Sequence, residues 1–173
     1  MNSLAYKIDI LVIGGGQAGL SAAYHLGRLG LKGGKGYLVL DKSPQPGGAW
    51  QFRWPTLTMR TINRLHDLPG MGFAEVLDPD QTEVRAAEAV PAYFRAYEDR
   101  FHLPVYRPVT VRMACDRGDR LRVEVTMPRT PCQTFARLSR FVAYHGVSPS
   151  AEKESNSSNR FWNSSWISAA CAW

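Results

Sequence analysis

Ile8-Asp9-Ile10-Leu11-Val12-Ile13-Gly14-Gly15-Gly16-Gln17-Ala18-Gly19 decides the fold: an apolar run that reads as a strand and passes directly into G-x-G-x-x-G at Gly14, Gly16 and Gly19. Such a spacing is the start of a dinucleotide-binding βαβ unit, and each glycine answers a different requirement. Gly14 allows the sharp turn out of the strand, Gly16 lets the backbone approach a pyrophosphate, and Gly19 lets the next helix pack close to the sheet. Gln17 and Ala18 lie between them, where the first N–H groups of that helix and the positive end of its dipole face the phosphates.

The surroundings support this reading. Leu20 to Gly30 continues as a helix, with Leu20, Ala23, Leu26 and Gly27 at the spacing of a face that packs on a sheet, and Gly30 as its C-terminal stop. A second apolar strand, Tyr37 to Leu40, ends on Asp41, where the fingerprint expects an acidic residue to hydrogen-bond a ribose. A carboxylate there favours free ribose hydroxyls and opposes a 2′-phosphate. The expected fold class is therefore α/β, a Rossmann-like parallel sheet with helices.

Beyond Asp41, Glu83 to Phe101 has the helical spacing of Ala86, Ala87, Val90, Phe94, Tyr97 and Phe101, with Pro91 expected near the first turn. Leu103-Pro104-Val105 reads as a short strand. Val109 to Met113 and Leu121 to Val125 alternate, and Asp116-Arg117-Gly118-Asp119 between them makes a hairpin.

The segment Lys42-Ser43-Pro44-Gln45-Pro46-Gly47-Gly48-Ala49-Trp50 resembles the stretch after the acidic residue in flavoproteins, where a Gly-Gly-x-Trp turn lies along FAD. With the glycine motif and Leu57 to Gly70, it makes residues 6–127 similar to flavin-containing monooxygenase-like proteins, which include bacterial flavoproteins linked to cation transport. The resemblance implies FAD in this first nucleotide domain, NADPH in a second domain with its own G-x-G-x-x-G, and a flavin hydroperoxide that oxygenates an amine, sulfide or ketone. It also implies cofactor contacts for Lys42, Gly48 and Trp50. Arg60, Thr61 and Asn63 would lie near the flavin ring, and Thr110 or Val111 at the adenine. The hairpin would belong to the antiparallel meander of such FAD domains.

No second G-x-G-x-x-G follows Gly19 in these 173 residues, and the monooxygenase pattern Phe-x-Gly-x-x-x-His is not found. The expectation is thus an incomplete FAD domain over 1–127, lacking the NADPH half, with a divergent irregular tail over 128–173. In that tail, residues 148–158 are rich in Ser, Asn and Glu. The expected origin of the tail is a shift of reading frame near 128–134 with an early stop. Two function classes stand open: an N-terminal piece of an FAD-dependent, NADPH-using monooxygenase, or a non-catalytic dinucleotide-binding or regulatory module. No residue is assigned as general acid or base, and neither substrate nor oligomeric state can be read.

Composition narrows the remaining classes. Apolar residues make up 45% and charged residues 21%, enough apolar content for one core. The net charge of +6 is mostly arginine scattered along the chain without a basic run, so no nucleic-acid partner is expected. Cys115, Cys132 and Cys171 form no C-x-x-C, which argues against a redox pair or a zinc site. The N-terminal apolar run includes Asp9 and breaks at Gly14, unlike a signal peptide. No stretch reaches transmembrane length, and a cytoplasmic protein is expected. His66 and His102 read as ordinary turn or surface residues.

Overall fold

The computed structural model describes residues 5–62, 65–78, 80–118, 120–127, 130–138 and 140–143. Among the described residues the strands are β1 (Ala5–Tyr6), β2 (Ile10–Ile13), β3 (Tyr37–Leu40), β4 (Val105–Tyr106), β5 (Thr110–Asp116), β6 (Leu121–Met127), β7 (Thr130–Leu138) and β8 (Arg140–Ala143). Two α-helices, α1 (Gln17–Arg28) and α2 (Ala86–Arg100), lie between them in sequence. One sheet has the order β4-β3-β2-β8 and is wholly parallel; the other, β1-β7-β6-β5, is an antiparallel meander with β1 added parallel to β7.

Alternation along the parallel strands explains how the layers hold together. Leu11 of β2 and Leu38 and Leu40 of β3 bury with Val109, Val123 and Val125, toward the meander. Val12, Tyr37 and Val39 bury instead with Ala23 of α1. Both faces of the parallel sheet are thus covered, which is why β2 and β3 read as continuous apolar runs.

α1 ends where the sequence indicated. Gly30 is left-handed at φ 86°, its N–H donates to the Gly27 carbonyl, and the Leu31 N–H donates to that of Leu26. That pair of bonds is a Schellman stop. Leu20 and Ala23 are fully buried, whereas Gly27, expected on the packed face, is exposed. α2 ends in the same way with a less suitable residue. His102 occupies the left-handed position at φ 48°, its N–H donates to Asp99, and the Leu103 N–H donates to Glu98.

α2 differs from expectation in two respects. Pro91 lies in its second turn, not its first, with its ring against the backbone of Gly47. The buried face also includes Ala89 and Tyr93 beside Ala86, Val90, Phe94 and Tyr97. Tyr93 matters because its phenol accepts from the Leu68 N–H at 2.7 Å and donates to the Met71 carbonyl at 2.6 Å. Tyr97 donates to the Pro69 carbonyl at 2.7 Å. Burial pushes both phenols up from their ordinary value, so both remain donors. Gly70, left-handed at φ 83°, completes that turn against the ring of Tyr24.

The largest correction concerns residues 130–143, expected as part of an irregular tail. β7 pairs antiparallel with β6 and parallel with β1, and β8 pairs parallel with β2, Ile10 opposite Arg140 and Ile13 opposite Ala143. The two ladders offer open edges, and backbone pairing fills them without needing the family-like side chains on which the sequence reading relied. The rest of the expected tail, 144–173, lies outside the described residues.

Replacing His102 by Gly removes a β-carbon from a left-handed position and should raise stability by about 1 kcal/mol. The check is the denaturation midpoint of the variant against that of the parent chain.

Candidate nucleotide site

The site forms where β2 gives way to α1. Gly14 is left-handed at φ 101°, and its N–H donates to the Leu40 carbonyl at 2.7 Å, which fixes the turn against the end of β3. At Gly19 a β-carbon would be driven into the carbonyl oxygen of Gly14, so only glycine permits this closeness of helix and strand. Gly16 is different. A β-carbon there would meet nothing within 4 Å, so the backbone faces open space at the head of α1. Gln17 and Ala18 open that helix, and its first turn holds no acidic residue. Its free N–H groups and positive dipole end are therefore offered to an outside anion.

A second glycine pair closes over the loop. Gly47 and Gly48 are left-handed at φ 115° and 51°; a β-carbon on Gly48 would lie 3.5 Å from the Gly16 Cα, and one on Gly47 would strike Pro91. Trp50 follows in a 3₁₀ turn (Gly48–Phe52), half-buried against the α2 aromatic cluster, with the Arg53 guanidinium 5.4 Å from its ring centre. Trp50 thus packs, whereas Trp54 is exposed.

Asp41 is buried at the end of β3, beside the glycine loop. Its N–H donates to the Tyr106 carbonyl and its carbonyl accepts from the Val109 N–H, so its backbone is held from both sides. The Asp41 Oδ1 accepts from the Ser43 N–H at 3.2 Å, and Oδ2 from Arg107 Nε at 3.3 Å. A β-carbon at Gly15 would lie 2.9 Å from both Oδ2 and the Arg107 Nη2. A side chain at the middle residue of the motif would therefore press on the Asp41–Arg107 pair.

Arg107 is a residue the sequence reading missed. It bonds Glu98 of α2 through two 2.7 Å hydrogen bonds, and all three side chains of the cluster are 10% exposed or less. Burial lifts the Glu98 carboxyl, against the hydrogen bonds and charge of Arg107. Burial also works against the charge of Arg107, but Glu98 and Asp41 outweigh it and hold the guanidinium above its ordinary value. Because both Glu98 oxygens accept N–H bonds, the group is a carboxylate, and the cluster of two acids and one base carries one net negative charge.

Other expected residues are positioned elsewhere. Lys42 is exposed beside Asp41. Arg60 pairs with Glu83 at 2.8 Å, and Thr61 bonds back to Thr58, so both have partners at an exposed turn linked to residues 82–85. Val111 packs half-buried against the core between the sheets. Asn63 lies outside the described residues. Gln17 reaches the loop by a 3.4 Å bond to the His66 carbonyl.

A cleft of about 160 Å³, lined by Met59, Phe73, Leu77 and Ala89 among others, shares no residue with the glycine loop. Among the described residues, no group of three or more His, Cys, Asp or Glu side chains could hold a metal ion, and no helix is long and apolar enough to cross a membrane.

Comparison with known proteins agrees with the Rossmann-like fold. Residues 12–83 match the family model described as NAD(P)-binding Rossmann-like domain. An uncharacterized oxidoreductase, CzcO, of Bacillus velezensis is 34% identical over 97 residues, 56% of this chain and 26% of the relative. A flavin-containing monooxygenase from Stenotrophomonas maltophilia superposes with a TM-score of 0.62 at 33% identity, over 80% of this chain and 38% of that one. Cyclohexanone monooxygenase in its closed form shares the fold, with a TM-score of 0.64 at 23% identity over 88% of this chain and 28% of that one. The matched stretch thus spans about a quarter of the curated relative's length, and less than two fifths of either monooxygenase.

Over residues 12–83 this chain has a Rossmann-like fold that matches the NAD(P)-binding family model, and it is similar to a flavin-containing monooxygenase and to a CzcO oxidoreductase. Gly19→Ala should cost roughly 1–3 kcal/mol, since the added methyl forces α1 away from β2. A melting curve against the parent chain measures it.

Proposed function

We propose that this chain binds FAD through its adenosine and pyrophosphate, as the flavin-holding part of an NADPH-using monooxygenase or oxidoreductase. The observation that carries the reading is the pairing of an open Gly16 backbone at the head of α1 with the buried carboxylate of Asp41 against Gly15. The first offers N–H groups to a pyrophosphate, and the second accepts from ribose hydroxyls. The approach of Gly48 to Gly16 supports the reading further, because it brings a second backbone without side chains beside the head of α1. FAD would supply the electron and oxygen chemistry; the protein's part is to bind and orient it. Bound FAD favours the sign of Asp41, whereas the 2′-phosphate of NADPH opposes it.

Turnover is a separate matter from binding. The 173 residues hold one glycine motif, which favours a second reading for the chain by itself: a dinucleotide-binding module without its own turnover. The substrate class of the proposed enzyme, an amine, sulfide or ketone, rests on resemblance alone, as does a cytoplasmic location.

Gly16→Val is a clean test because the space at Gly16 is open: the fold should be retained while the branched side chain occupies the pyrophosphate position. The expected result is retention of FAD by the parent chain and loss in the variant, by flavin absorbance and fluorescence titration with circular dichroism as the control for folding. Equal affinity in the two proteins would overturn the assignment. In competition, FAD should displace NADPH, and tighter NADPH binding would contradict the cofactor choice. Purified chain with FAD added should show no sustained NADPH-dependent oxygen uptake; such uptake coupled to an oxygenated product would refute the module reading.

A further inference from the structure

The charge at Asp41 is set by residues that no glycine fingerprint includes. Arg107 brings a cation within 3.3 Å of Asp41 Oδ2 and, at Nη2, close to where a Gly15 side chain would project. A free arginine in that place would be suited to a phosphate, since its planar donors match phosphate oxygens in pairs. Here the guanidinium has another commitment. Glu98 takes one N–H from each terminal nitrogen at 2.7 Å and Asp41 accepts from Nε, so the guanidinium is fixed in place between two carboxylates. Helix α2, which carries Glu98, is in turn held by Tyr93 and Tyr97 on the turn at residues 68–71, so the clamp rests on a rigid element.

Resting on the dinucleotide reading above, we infer that Glu98 is a specificity-determining residue of the nucleotide site. By clamping Arg107 it keeps the cation from meeting a 2′-phosphate and leaves the position at Asp41 anionic. The site therefore takes an adenosine ribose with free hydroxyls. Glu98 need not touch the nucleotide; it acts through Arg107.

The test compares ADP-ribose with its 2′-phosphorylated form, two probes that differ only in the group concerned. Their dissociation constants are measured by calorimetry at pH 8 for the parent chain and for Glu98→Gln and Arg107→Met. The parent should prefer ADP-ribose. Glu98→Gln deletes one negative charge and part of the clamp, and should shrink that preference by about tenfold, the scale of one charge acting across a few ångströms of partly screened protein. Arg107→Met deletes the cation and should keep the preference or widen it. A merely structural role would not narrow the ratio in Glu98→Gln while sparing it in Arg107→Met.

An unchanged ratio in Glu98→Gln, or a narrowed one in Arg107→Met, overturns the inference while leaving the nucleotide site standing. Failure of the parent to bind either probe overturns the dinucleotide reading itself, and this inference with it. If Glu98→Gln does not fold by circular dichroism, Glu98→Asp keeps the charge but shortens the reach. That variant should narrow the ratio less than tenfold, and an unchanged ratio again overturns the inference.

Discussion

A buried guanidinium, that of Arg107, ties a carboxylate of α2 to one at the end of β3 through side-chain hydrogen bonds. Asp41 stands at the end of a central parallel strand, Glu98 on α2, and Arg107 on the segment between β4 and β5. Taking three ionised groups out of water is costly: removing one partner of a buried pair typically costs roughly 3–5 kcal/mol, whereas replacing both partners by well-packed apolar residues is often neutral or stabilising. Such a cluster is therefore weak evidence for stability. Its value is geometric: it sets α2, the β3 end and the glycine loop at fixed distances, and it places a charge of one sign where α1 begins.

The α2 side of that arrangement is held by aromatics and their hydroxyls. Tyr24 meets Phe101 edge-on with ring centres 4.8 Å apart, and Tyr97 meets Phe101 at the same separation. The hydroxyls of Tyr93 and Tyr97 meet backbone groups of the turn at 68–71 that would otherwise be buried without partners. The turn thereby couples α1, through Tyr24 against Gly70, to α2. Position of the Glu98 carboxylate is a consequence of this packing, not of local helix propensity.

What was legible in the sequence follows from the range of the forces involved. The glycine motif, the stop at Gly30 and the β5–β6 hairpin are local events, decided by backbone freedom and alternation over a few residues, and the structure has all three. Arg107 was not legible because its partner Asp41 is 66 residues away, and an arginine before a proline in the link between two strands reads as a solvated charge. Tyr93 escaped because a phenol at helical spacing does not reveal that its hydroxyl bonds a distant turn. Strands β7 and β8 escaped for a related reason: pairing to an open edge depends on the neighbour's backbone, which no pattern within the strand encodes. Arg60 and Thr61 show the converse, since the family likeness that suggested flavin contact carried no information about their bonds to Glu83 and Thr58.

The three motif glycines at the passage from β2 to α1 answer different demands. Gly14 and Gly19 are required by the fold itself, one for a left-handed turn and one for helix–strand contact, and would be needed whether or not a ligand came. Gly16 has no such reason: its backbone is extended, at φ −85° and ψ −173°, and open on the side a β-carbon would occupy. A position that tolerates a side chain sterically yet holds glycine, at a helix start with no acid in its first turn, fits a backbone kept bare for a phosphate. Asp41, anchored by its own N–H and carbonyl and backed by Arg107 and Glu98, would then hold the other end of the same nucleotide without having to reorganise when it arrives.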